Sequence, residues 1–258
     1  MNYEGVRIFE GGVMKENRMK FSFVACVFLY VLNTIVLNNL QARELSIGTT
    51  IKGKISLTGK QADKANLEDV FVYYQPAESS LMPSSNPLSE PLDIKMKNKA
   101  YVPRVSVVPA GSEIKIENAD SILHNAFSPS RPNDFDLGLY KKNSGKIQRL
   151  SQPGVVKIFC NVHYHMVAYV LVLDTPYYAR VNKDGSFEIK NIQLQKDSSL
   201  NNGKLYLWHE RAKKVVKTIN LPLTSALNFD LPITKRRIPT HKNKSGKKYK
   251  KKRRRRRY

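Results

Sequence analysis

Between Ile47 and Leu231 no stretch of this chain repeats apolar residues at helical spacing. What recurs is a short β-rich run closed by Gly, Pro, Asn or Asp. Examples are TTIKGKISL, DVFVYYQ, RVSVVPA, EIKIEN, VVKIFC, VAYVLVLD, SFEIKNI, KLYLWHE and KVVKTINL. Several alternate apolar and polar residues, the pattern of a strand with one face on a core and the other in water. An all-β chain built from sandwiches is therefore expected. The Ser- and Pro-rich segment ESSLMPSSNPLSEP (Glu78 to Pro91) reads as a loop or linker, and SPSRPNDFDLGLYKKNSGKIQRLSQPG (Ser128 to Gly154) as an irregular stretch with room for a short helix.

Upstream of these runs, the apolar stretch FSFVACVFLYVLNTIVL (Phe21 to Leu37) follows Arg7, Lys15, Arg18 and Lys20 and precedes the small residue Ala42. A basic start, an apolar middle and a small residue at the end match a secretory signal, so residues 1–42 are expected to be a signal peptide and the remainder periplasmic or otherwise exported. The alternative is an uncleaved N-terminal membrane anchor, against which Asn33 and Thr34 interrupt the run. Of the two cysteines, Cys26 lies in this stretch, which leaves Cys160 as the single thiol of the exported part. An unpaired cysteine in an oxidising compartment is a liability unless it is buried or bound to something.

The formal charge of +23 is unevenly placed, because KRRIPTHKNKSGKKYKKKRRRRRY from Lys235 onward holds fifteen of the lysines and arginines and no acid. Self-repelling charge with little apolar content predicts a disordered extension over residues 235–258. Its functional reading is attraction to an anionic surface such as lipid head groups, an envelope polymer or an acidic redox partner. No base-reading motif accompanies it, so sequence-specific nucleic-acid binding is not expected.

The segment FCNVHYHM (Phe159 to Met166) gathers a cysteine, two histidines and a methionine into eight residues. A thiolate, two neutral imidazoles and a weak thioether form the trigonal site with a long axial ligand used by electron-transfer copper. The imidazole from outside the segment is expected at His124, in ADSILHNAFS after the strand candidate EIKIEN. Within the segment both His163 and His165 remain candidates, since extended geometry would point them to the same side. Zinc is the rival ion, as one cysteine and two histidines suit it too, although a thioether does not. A Cys160–His163 nucleophile pair is the enzymatic rival, and it would need an exposed thiolate. SGK (Ser144 to Lys146) lacks the rest of a phosphate loop, and WHE (Trp208 to Glu210) reads as a core ring with polar neighbours.

The stretch KNKAYVPRVSVVPAGSEIKIENADSILHNAFS, followed by GVVKIFCNVHYHMVAYVLVLD, resembles the cupredoxins, the type 1 blue-copper family. Its Cys-x-x-His-x-x-Met spacing is similar to that of amicyanins, and the wider chain to cupredoxin-domain proteins labelled methylamine utilization proteins. The resemblance covers about residues 92–175 and implies a Greek-key β-sandwich. It also implies one copper ion cycling between Cu(II) and Cu(I), bound by His124, Cys160, His163 and Met166, and it sets His165 aside as a ligand. Asn125 would bond the loop that carries the cysteine, and a redox protein partner would dock beside His163. The implied function is single-electron transfer rather than catalysis; the alternative is copper delivery or a structural envelope role.

The flanking segments, GTTIKGKISLTG with LEDVFVYYQP and YYARVNKDGSFEIKNIQL with GKLYLWHERAKKVVKTINL, are similar to transthyretin-like, carboxypeptidase-regulatory-like β-sandwiches. The expected arrangement is a smaller second sandwich whose first strands and linker lie in residues 43–91 and whose remainder lies in residues 176–234, with the cupredoxin stretch inserted between them.

Overall fold

The computed structural model describes residues 48–78 and 82–249. The expected signal peptide and the last nine residues lie outside them. Among the described residues sixteen strands form four sheets, and no helix is long and apolar enough to cross a membrane. The chain is all-β.

Strand β1 (Gly48–Thr58) pairs antiparallel with β13 (Ser186–Gln193) and parallel with β16 (Leu227–Pro232), making a first sheet of order β13-β1-β16. Strand β2 (Phe71–Pro76) lies between β12 (Tyr178–Arg180) and β14 (Asn202–Trp208), and β15 (Val215–Asn220) completes a second sheet, β12-β2-β14-β15. The first two strands thus pair with strands from beyond Pro176 and not with those of the intervening chain. Turn NKDGSF enters β13 through Gly185 at φ +86, where an added Cβ would sit 2.4 Å from the Ile55 carbonyl oxygen. Glycine is required there twice over.

The intervening chain folds on itself. Strands β3 (Leu92–Lys97), β4 (Ala100–Val102), β6 (Glu113–Asn118) and β9 (Gly145–Arg149) form one sheet, β4-β3-β6-β9. Strands β5 (Val105–Pro109), β7 (His124–Ser128), β8 (Phe135–Tyr140), β10 (Gly154–Phe159) and β11 (Val167–Leu173) form the other, β5-β11-β10-β7-β8. The stretch read as irregular with room for a short helix instead supplies β8 and β9. Both are edge strands with few buried residues; GKIQR shows no apolar alternation, and FDLGLY, which does alternate, is embedded in a stretch otherwise rich in Ser, Pro, Asn and Lys that reads as loop.

Three apolar layers separate the four sheets. Ile51, Ile55, Val72, Tyr74, Ile189 and Leu205 fill the layer between the first two, and Ile94, Ile116, Val156, Ile158, Ala168 and Val170 the layer between the last two. Between these, Phe71, Tyr73 and Trp208 from the second sheet pack on Val105, Phe127, Phe159, Tyr169 and Leu171. Strand β11 therefore has a core on each face, which is why VAYVLVL is apolar at consecutive positions and buried at all seven. Trp208 sits in that shared layer, and its neighbour Glu210 holds Arg104, with Nη2 to Oε2 at 2.8 Å.

The C-terminal segment corrects an expectation. Residues 235–249, read from their charge as part of a disordered extension, contact the β5-β11-β10-β7-β8 sheet and its ligand turn: His241 stacks on Phe159 and the Tyr249 hydroxyl donates to the Cys160 carbonyl. Two rings and a few polar groups, scattered among the lysines, supply the contacts that a charge count overlooks.

Candidate metal centre

Strand β10 ends at Phe159, so Cys160 opens a seven-residue turn that closes where the Met166 amide donates to the His163 carbonyl at 3.0 Å. Met166 then leads into β11. His124 is the first residue of β7, the neighbour of β10, and the sheet brings it beside the cysteine although 36 residues separate them. Cys160 Sγ lies 3.7 Å from His124 Nδ1 and 3.8 Å from His163 Nδ1, and the three ligand atoms are all within 4.8 Å of one another. Cys160 and His124 are 0 % exposed, and His163 is partly exposed.

Metal–sulfur and metal–nitrogen bonds of about 2.3 and 2.05 Å put sulfur and nitrogen about 3.6 to 3.8 Å apart around one tetrahedral or trigonal ion. The two observed separations fall in this range, so the three donors could hold one metal ion. Met166 is buried, in the same apolar cluster as Cys160. His165 is exposed and stands edge-on to the His163 ring, centroids 6.0 Å apart, outside the three-residue group. The buried thiol of Cys160 lacks the access that a catalytic nucleophile needs.

Neighbouring groups hold these donors in place. His124 Nε2 is 2.8 Å from Asp120 Oδ2, which makes Nε2 the protonated nitrogen and leaves the lone pair on Nδ1, facing the sulfur. The same carboxylate accepts from the amides of Asn98 and Lys99, at 2.7 and 2.9 Å, where both residues have positive φ in the β3–β4 turn. Burial pulls the Asp120 carboxyl upward, yet the Lys99 amide, the His124 ring and the Asn98 amide hold it below its ordinary range. Asn125 Oδ1 accepts from the Asn161 amide at 3.1 Å, while its Nδ2 donates to Asp136 Oδ1 at 2.7 Å. Tyr101 reaches across the sandwich, its hydroxyl 3.1 Å from the Phe159 carbonyl oxygen and 3.3 Å from that of Asn125. Full burial, and then the Cys160 sulfur nearby, push its phenol well above the ordinary range, so it stays a neutral donor.

Sequence reasoning named His124, Asn125, Cys160, His163 and Met166 but missed Asp120 and Tyr101. An acid four residues before the histidine was the available signal for Asp120; nothing local marks Tyr101.

No family model matches this sequence, and no curated protein matches it. Solved structures do. A purple cupredoxin from Nitrosopumilus maritimus is 21% identical over 32% of this chain and 99% of its own, with a TM-score of 0.29. A reduced single-residue mutant of amicyanin is 17% identical over 36% of this chain and 96% of its own, with a TM-score of 0.31. The copper-containing nitrite reductase of Thermus scotoductus is 18% identical over 38% of this chain, with a TM-score of 0.32, and this chain spans only 25% of that enzyme's length.

Proposed function

We propose that this chain is an exported mononuclear type 1 copper protein that passes single electrons between redox partners. The observation that carries the reading is the convergence of His124 Nδ1, Cys160 Sγ and His163 Nδ1 from two neighbouring strand ends into one group, buried except at His163. Met166 would be the weak axial donor, since its thioether is soft and the side chain is buried in the same apolar cluster as the cysteine. Bound copper would supply a one-electron couple, and the protein's part is to keep the donors still. Asp120 fixes the His124 ring, Asn125 ties the amide after the cysteine, and Tyr101 ties the carbonyl before it.

Partner docking beside His163 is supported by the side chains around the ligands. Ile122, Leu123, Val162 and Tyr164 are large, apolar and exposed, and three of them adjoin a ligand in sequence. An apolar rim of this kind suits brief contact with another protein, because it carries no charges that have to be desolvated. Export is supported by the apolar stretch Phe21 to Leu37 and by the thiol, which is kept buried.

An anaerobic copper titration followed by visible and paramagnetic spectra tests the reading. Expected are one equivalent of copper, an intense sulfur-to-copper absorption that a mild reductant bleaches reversibly, and loss of that absorption in Cys160→Ser. A colourless adduct, or copper surrendered rapidly to a chelator, would favour metal delivery instead.

A further inference from the structure

Beyond β16 the chain returns to the ligand loop and touches it at several places. The His241 ring is stacked between Phe159, centroids 3.9 Å apart at 17°, and Tyr164, 4.6 Å at 3°. Those two residues directly precede Cys160 and follow His163. His241 Nδ1 donates to the Pro239 carbonyl at 2.8 Å, which sets the plane of the ring. Lys244 donates its amide to Asn161 Oδ1 at 3.1 Å, and its ammonium group pairs with Asp136 Oδ2 at 2.8 Å. Tyr249 stands edge-on to both Tyr164 and His241, and its hydroxyl donates to the Cys160 carbonyl at 3.0 Å.

Three consecutive backbone groups around the thiol are therefore each held by a distant side chain: the Phe159 carbonyl by Tyr101, the Cys160 carbonyl by Tyr249 and the Asn161 amide by Asn125. The first and third holders belong to the sandwich, and the middle one to the C-terminal segment. The segment also closes a ring of polar contacts, because Asp136 accepts from both Lys244 and Asn125, and Asn161 bonds both Asn125 and Lys244. The turn itself is exposed at Val162, Tyr164 and His165. Such a turn gains its stiffness from what packs over it.

We propose that residues 239–249 clamp the ligand loop, with Tyr249 and His241 as positioning residues for the sulfur of Cys160. A segment that merely covered the nearest apolar surface would have no need to bond the cysteine's own carbonyl or the amide side chain next to it. Removing the Tyr249 hydroxyl frees that carbonyl and leaves the peptide after the sulfur held only through the Asn161 amide. Removing the His241 ring parts Phe159 from Tyr164 and loosens both ends of the turn together.

The test has two arms on the full chain, with Tyr249→Phe, His241→Ala and a chain stopped after Ile238. In the metal-free protein, amide hydrogen exchange over residues 161–165 is expected to rise on the order of fivefold in Tyr249→Phe, the loss of one net hydrogen bond, and further in the other two. Exchange in β11 should stay unchanged. In the copper-loaded protein, which rests on the proposed function, the sulfur-to-copper bands should change in position or relative intensity. Unchanged exchange in Tyr249→Phe and His241→Ala overturns the clamp. Faster exchange with an unaltered spectrum overturns the positioning role. If the shortened chain does not fold, the two point variants decide. If no variant or parent takes up copper, the exchange arm still decides the clamp, and that failure belongs to the proposed function alone.

Discussion

Asp120 Oδ2 and His124 Nε2 lie 2.8 Å apart, so the imidazole is locked with its other nitrogen toward the Cys160 sulfur. A carboxylate behind a ligating histidine fixes the tautomer and raises the basicity of the ligand. Asp120→Asn is therefore expected to weaken copper binding by about 10- to 100-fold, measured by competition against a chelator of known affinity. An affinity within twofold of the parent would remove this role from Asp120.

Met166 is 1 % exposed and belongs to the same apolar cluster as Cys160, and leucine has nearly its volume. Met166→Leu should cost less than about 1.5 kcal/mol of stability and leave one copper per chain. Without the thioether, the oxidised ion loses more donation than the reduced one, so the midpoint potential should rise. Voltammetry of the two proteins side by side checks the sign, and an unaltered potential would take Met166 out of the ligand set.

Much of this candidate centre is visible in the sequence because such a donor set is rare. One thiol, imidazoles and a thioether in FCNVHYHM admit few explanations, and His124 follows from the need for a second imidazole at the end of a strand. VAYVLVL also announces itself, since a run apolar at consecutive positions must be buried on two faces. The supporting groups do not stand out. Asp120 looks like any turn residue after a strand, and Tyr101 works through backbone atoms of residues 24 and 58 positions away. His241 and Tyr249 are hidden inside a run that composition marks as too charged to pack. Strands β8 and β9 are hidden differently: GKIQR has a single apolar residue, and the alternation of FDLGLY sits among Pro, Asn, Lys, Gly and Ser that read as loop.

Arg104 joins the two sandwiches through Glu210, whose side chain is 2% exposed and also meets Arg236 Nε at 3.3 Å. Arg104 Nη1 donates in addition to the Val167 carbonyl, at the head of β11. Arg104→Met would leave a buried carboxylate short of its main partner, and should cost roughly 3 kcal/mol in urea unfolding. Replacing both residues, as Arg104→Met with Glu210→Leu, should cost less than Arg104→Met alone, because no buried charge is then left unpaired. A double variant as unstable as the sum of the two single ones would show that the pair does not act as a unit.

His209 supplies a pH dependence remote from the His124–Cys160–His163 group. It is 3% exposed, and its Nδ1 accepts the Arg211 amide at 3.0 Å. Burial first, and then Arg211 and Arg236 against the opposing pull of Glu210, bring its pKa down from 6.5 to about 4. Above pH 6.5 the ring is neutral whether the chain is folded or not, and its contribution to stability is fully present. As the pH falls from 6.5 toward 4 the unfolded chain takes up a proton that the folded one refuses, so that contribution is lost. Below about 4 both states are protonated and the loss stops growing. Denaturant unfolding of the metal-free protein at steps between pH 7 and 4 should therefore show a slope of up to about 1.4 kcal/mol per pH unit from this residue. His209→Gln should be less stable at pH 7 yet flatter across the window. The remaining histidines are common to both proteins and cancel in the difference, so a variant that falls as steeply as the parent would assign the acid sensitivity elsewhere.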